Sequence, residues 1–142
     1  MSHRSAAGLW GIAKPLHPVD VTAPVGWQGP RRRSGIWIHR CRLPAEQREI
    51  RSEIPVTTVA RTLFDFAEVV NFQRLRSAWE EADRLRLLSL GEVEQVCELG
   101  FGRRALRPIR RLLAESNVPD LTRSALEDLF IGFCREYGLQ PP

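Results

Sequence analysis

Apolar and polar residues repeat along this chain at two different periods, and the period changes near residue 58. Val19, Val21 and Ala23 alternate with Asp20 and Thr22, the spacing of a strand with one wet face. Ile36-Trp37-Ile38-His39-Arg40-Cys41 reads as its partner, and Ile50 to Val56 as a third strand. The segment between the first two, Gly26-Trp27-Gln28-Gly29-Pro30-Arg31-Arg32-Arg33, reads as a loop from its glycine and proline content. Beyond it the period becomes helical. Val59, Leu63, Phe66 and Val70 share one face, while Arg61, Asp65 and Glu68 form a polar line on another. Thr57 or Thr58 is suited to cap that helix. Taken alone, the pattern predicts an amphipathic helix with an exposed Arg61–Asp65 pair, worth about 0.2–0.5 kcal/mol.

Four further helices follow from the same reasoning. Leu75, Trp79, Ala82 and Leu85 make an apolar stripe between Phe72 and Leu88, with Glu80 and Arg84 placed to pair on the wet side. Ser89-Leu90-Gly91-Glu92 has capping-box spacing and opens a helix with Val93, Val96 and Cys97 inward. After Gly100 and Gly102 another helix runs towards Ser116; Pro108 lacks an N–H, so it starts late or kinks. The last begins at Thr122. At the other end, residues 3 to 10 predict a short helix capped by Ser2 and ended at Gly11. The class is therefore α+β: a short N-terminal helix, a small antiparallel sheet of about three strands, then about five helices.

Length and charge narrow the function classes. A chain of 142 residues suffices for one ordinary core, and no apolar run approaches the roughly 20 residues needed to span a bilayer. Cys41, Cys97 and Cys134 are isolated, odd in number and unpaired with histidines by metal-ligand spacing. They read as thiols of a reducing compartment, so a cytoplasmic location is expected. Residues 1 to 60 carry nine basic and four acidic side chains, whereas the remainder carries twelve and thirteen. The basic excess thus sits early, where it either attracts phosphate backbones or serves solubility.

Two arginine groups are candidates for nucleic-acid contacts. Arg31, Arg32 and Arg33 end a loop in which Trp27 is available to stack; the same residues also read as a solvated hairpin tip. Arg103, Arg107 and Arg110 fall near one face of a helix that follows a glycine-rich turn, as in a helix-turn-helix reader. Glu92, Glu94 and Glu98 precede them and offer a structural salt-bridged alternative. His3, His17 and His39 are widely spaced, and His39 reads as a packed or exposed sheet residue rather than a catalytic base. The chain has no Gly-x-Ser-x-Gly, phosphate loop or dinucleotide fingerprint, and no cofactor is expected.

The segment Ile54-Pro55-Val56-Thr57-Thr58-Val59-Ala60-Arg61-Thr62-Leu63-Phe64-Asp65-Phe66-Ala67 resembles the strand-to-helix signature of AbiEi-type antitoxins, the DNA-binding regulators of type IV toxin–antitoxin systems. It also resembles bacterial proteins that join such a region to a Vsr-like (very-short-patch-repair-like) endonuclease domain. Ser2 to Gly11 looks like the helix preceding the sheet in that family, and Leu121 to Phe130 like the first helix of the attached nuclease domain. The resemblance implies an antitoxin-like module over 1–118 and the first helix of a truncated Vsr-like domain over 119–142. It implies a middle region, trimmed of an upstream winged helix and of the downstream catalytic half. Glu127 would be the helix acid of the nuclease site, and also has capping-box spacing from Ser124. The main site needs an acidic-x-Lys pair, but the only lysine is Lys14, preceded two residues earlier by Ile12. The expectation is a non-catalytic regulator module without catalytic or metal-binding residues. Its implied partners are DNA and a nucleotidyltransferase-like toxin. The alternatives are a fragment of a Vsr-like endonuclease and a plain helical interaction domain.

Overall fold

The computed structural model describes residues 1–117 together with Ile131, Cys134 and Tyr137. The chain divides into two units, Met1–Leu112 and Leu113–Pro142. The expected nuclease-like helix over Leu121 to Phe130, with Ser124 and Glu127, lies outside the described residues. The class is α+β. In order come α1 (His3–Trp10), β1 (Val19–Ala23), β2 (Arg32–Arg33), β3 (Ile36–Arg40), a single 3-10 turn (Ala45–Gln47), β4 (Arg48–Arg51), β5 (Ile54–Thr57), α2 (Val59–Phe66), α3 (Phe72–Arg84), α4 (Leu90–Leu99) and α5 (Leu106–Ser116). No helix among the described residues is long and apolar enough to cross a membrane.

The strand pairing is mostly antiparallel, as expected, and departs from that in one pair. β1 and β3 run parallel, Val19 opposite Ile36 and Ala23 opposite Arg40, while β2 pairs antiparallel with β3. The sheet order is β1-β3-β2, and β4 and β5 form a separate two-stranded sheet. The physical reason is where the chain reverses. Arg32–Arg33 is itself a strand, and Ser34-Gly35 makes the tight turn, with Gly35 at φ 70°. The chain therefore turns twice between β1 and β3, and β3 recovers the direction of β1. The stretch read as one strand from Ile50 to Val56 is broken by a hairpin. Ser52 and Glu53 take φ of 49° and 63°, the backbone of a type I′ turn built without the glycine that usually signals it.

The helices follow their local signals more closely. Thr58 is the cap of α2, its Oγ1 accepting from Arg61 N, while Thr57 turns inward and shares a hydrogen bond with Thr62 Oγ1 at 2.7 Å. Asn71 and Ser89 cap α3 and α4 in the same way. Ser2 takes the cap position of α1, but its hydroxyl makes no cap hydrogen bond. Gly11, at φ 76°, closes that helix in the left-handed region. Pro108 is the third residue of α5, where a helix N–H has no intrahelical partner, so the helix neither kinks nor loses a bond. Arg84 pairs with Glu81, not Glu80.

All eight residues of α2 are buried, and the helix contacts α1, α3 and α4. Leu63 and Phe64 are completely enclosed and join Ala6, Ala7, Leu75 and Val93 in the core. This corrects the amphipathic reading, because the polar line of α2 is as dry as the apolar one. At Gly100, an added methyl would lie 2.3 Å from the Phe64 ring, whereas at Gly91 it would meet open space. Gly100→Ala is expected to destabilise the fold by about 1–3 kcal/mol, and Gly91→Ala to be neutral or mildly stabilising. Chemical denaturation of the two variants checks this contrast.

Candidate functional site

Two buried carboxylates organise the polar interior. Asp20 lies on β1 with no solvent exposure, although the alternating pattern placed it on the wet side. Arg4 from α1 donates to both its oxygens, at 2.9 and 3.0 Å. His39 from β3 binds Oδ1 at 2.8 Å, and Ser5 Oγ accepts from the Asp20 backbone N–H. Burial opposes ionisation of Asp20, but the His39 and Arg4 hydrogen bonds prevail and hold its carboxyl at about 2.

Asp65, also fully buried, accepts from Arg61 Nε at 3.0 Å and from Arg103 at 2.9 Å. Arg61 extends further, to Gln47 Oε1 at 2.6 Å, the Arg42 carbonyl and Cys41 Sγ. Arg103 completes a two-point contact with Glu68, at 2.9 and 2.6 Å. Burial works against its charge, yet Glu68 and Asp65 outweigh it and raise its pKa. The expected exposed Arg61–Asp65 pair is thus a core ion cluster. A lone exposed pair has bulk water as competitor; here Asp65, Arg61 and Arg103 are each held by two or more partners.

Between the clusters lie two histidines. His3 and His39 stack with ring centroids 3.6 Å apart and 20° between planes. His3 is 2% exposed, and Ser2 Oγ sits 2.9 Å from its Nδ1. Burial pushes the His3 ring down to about 4. The two rings line a cleft of about 480 Å³ together with Arg31, Arg32, Arg40, Glu68 and Arg103. Trp37 forms part of its wall, with the guanidinium groups of Arg4 and Arg32 over the ring at 4.6 and 4.9 Å. A second cavity, about 580 Å³, has mainly apolar walls, among them Ala23, Pro24, Val25, Leu43 and Val56.

Of the residues singled out from sequence, Arg31 and Arg32 reach the cleft. Arg33 is exposed on β2 and is not among the residues lining it. Trp27 is not free to stack: Arg40 lies 5.7 Å over its ring, and the ring packs so closely on Gly29 that a methyl there would lie 2.0 Å from it. Arg103 does not belong to a reading helix, because it precedes α5 and is committed to Asp65 and Glu68. Its acidic partners are not the expected Glu92, Glu94 or Glu98. Arg107 and Arg110 are exposed on α5, away from the cleft lining. Sequence reasoning missed His3, Asp20 and His39 as a group. The available signal was a charged residue inside an apolar strand, Asp20 between Val19 and Val21.

The cleft can hold an anion. Four arginines face one carboxylate there, and Glu68 is already neutralised by Arg103. Among the described residues, no group of three His, Cys, Asp or Glu side chains is placed to hold a metal ion. Compared with protein families, with curated proteins and with solved structures, the chain finds no match.

The two depressed pKa values set an acid limit on the fold. A buried neutral His3 favours folding above the ordinary histidine value of 6.5, and that contribution is lost as pH falls from there towards about 4. Asp20 adds a second loss between 3.8 and about 2. Thermal stability is expected to decline on acidification from pH 7, with a first step of about 2–3 kcal/mol. In His3→Asn the step above about pH 4 should be smaller, as melting curves over a pH series would record.

Proposed function

We propose that this chain is a non-catalytic, AbiEi-antitoxin-like module of a bacterial regulator, and that it contacts nucleic-acid phosphates through the cleft at β2 and β3. One observation carries the reading. Among the described residues, Arg31, Arg32 and Arg40 have no acidic partner, although Asp20, Asp65 and Glu68 lie within the same unit and are each saturated by other cations. Arginines left uncommitted around a concave surface suit bidentate capture of phosphate oxygens. They fix position on a backbone rather than read bases. The basic excess before residue 60 and the resemblance carried by Ile54 to Ala67 support the same assignment.

Protein contact is the second part of the proposal. Leu99 and Phe101 flank the Gly100 turn with 66% and 88% exposure, which suits docking against another protein such as a nucleotidyltransferase-like toxin. That the module is non-catalytic is part of the proposal. Magnesium-dependent cleavage of DNA by the purified chain would overturn that part.

The test of the phosphate contacts is a salt titration. Arg31→Ser/Arg32→Ser is expected to weaken binding of single-stranded and duplex DNA about tenfold or more at low salt. It should also flatten the dependence of log affinity on log salt by about 1–2 units, the loss of roughly two phosphate contacts. Both residues are exposed, so the fold should be retained. An unchanged slope would remove these arginines from the interface.

A further inference from the structure

The second cavity, of about 580 Å³, is lined from both sheets. Ala23 ends β1 and Val25 follows it, Leu43 follows β3, and Val56 belongs to β5. Small-molecule sites typically enclose about 300–1,000 Å³, so the space is of ligand size. Val25 is 68% exposed, an apolar side chain left in water on the wall of the cavity. Among the described residues no acidic side chain lines it.

Two arginines border the same space, Arg42 and Arg48. The Arg42 carbonyl accepts from Arg61 Nη1 at 3.3 Å, and Arg48 lies opposite Thr57 in the β4–β5 ladder, so both backbones are tied to the core. Both residues are exposed, and among the described residues neither enters an ion pair. The cavity is separate from the arginine cleft. Cys41 belongs to both linings, but Arg31, Arg32, Arg40 and Arg103 line only the cleft, and Arg42 and Arg48 only the cavity.

We infer that this cavity binds a small amphipathic anion, its apolar body against Ala23, Val25, Leu43 and Val56 and its acidic head group paired with Arg42 or Arg48. The apolar body supplies affinity by removing these walls and its own surface from water. The head group supplies selection, because an arginine fork pairs with a carboxylate or a phosphate alike. An ion pair at an exposed arginine is weak by itself. The two parts must therefore belong to one molecule. A bare anion lacks the first contribution, a neutral alcohol lacks the second, and an amine meets like charge. The inference does not depend on the phosphate reading of the cleft.

The experiment titrates the full chain with octanoate, 1-octanol and octylammonium, which share one apolar chain and differ in head-group charge, and with acetate as the head group alone. Calorimetry gives the affinities, and NMR amide shifts give the place. Octanoate is expected to bind about tenfold more tightly than octanol, and octylammonium more weakly than octanol. Acetate should bind more weakly than octanoate by about a hundredfold or more, since each methylene buried is expected to tighten binding about threefold. The largest shifts should fall at Ala23, Leu43 and Val56. Arg42→Ser/Arg48→Ser replaces two exposed residues, so the fold should be retained. It should bring octanoate down to the level of octanol and leave octanol unchanged. Arg31→Ser/Arg32→Ser should leave octanoate binding as it was. Equal affinity for the three octyl probes overturns the inference, as does the absence of octanoate binding. Acetate binding as tightly as octanoate, or shifts confined to the cleft at Arg31 and Arg32, also overturns it. So does an octanoate affinity that survives Arg42→Ser/Arg48→Ser unchanged.

Discussion

Asp65 is an anion with no access to water, and its two arginines decide the arrangement of most of the molecule. A carboxylate in that position is tolerated only if its lone pairs are filled by well-placed donors, because desolvation costs several kcal/mol per ion. Arg61 satisfies it from within α2, and Arg103 from the turn before α5. Each arginine then has donors left over. Arg61 spends them on Gln47, the Arg42 carbonyl and Cys41, tying the central helix to the segment between β3 and β4. Arg103 spends them on Glu68, which closes the other end of the helix. Three separate parts of the sequence are thereby held in one register by the need to satisfy one carboxylate.

The same logic divides the arginines into two populations. Arg4, Arg61 and Arg103 are consumed by the buried acids Asp20 and Asp65, with Glu68 at the margin. Among the described residues, Arg31, Arg32 and Arg40 line the cleft without an ion pair, the Glu68 beside them being held by Arg103. Arg32 rests on Trp37 and Arg40 bonds the Gly29 carbonyl, contacts that orient the side chains without neutralising them. Compensated charge inside and uncompensated charge at the rim is an arrangement suited to an anionic ligand. The histidine stack sits where the two populations meet, backed by Asp20 on one side and facing the cleft on the other.

Local signals in the sequence carried a good part of this fold. Helix caps at Thr58 and Ser89, the stop at Gly11 and the apolar stripes of α3 and α4 depend on residues close together, so a period or a spacing reveals them. What was not legible is non-local. The parallel pairing of β1 with β3 depends on a two-residue strand, Arg32–Arg33, too short to leave a pattern. The hairpin at Ser52-Glu53 lacks its usual glycine. Arg61 and Asp65 look like a surface pair because hydropathy cannot see that Arg103, 38 residues away, will cover them. The site was half legible: Arg31 and Arg32 stand out as a run, whereas His3, Asp20 and His39 are brought together by strand pairing and by the docking of α1 on β1.

The claim that Asp65 and Arg103 stabilise the fold as a coupled buried pair is tested most directly by a double-mutant cycle in chemical denaturation. Asp65→Ala and Arg103→Ala should each cost about 3–5 kcal/mol, because each strands a partner's charge, while the double variant should cost much less than their sum. A coupling of about 2 kcal/mol or more agrees with the account. Strict additivity, or single costs of only a few tenths of a kcal/mol as for exposed pairs, would contradict it.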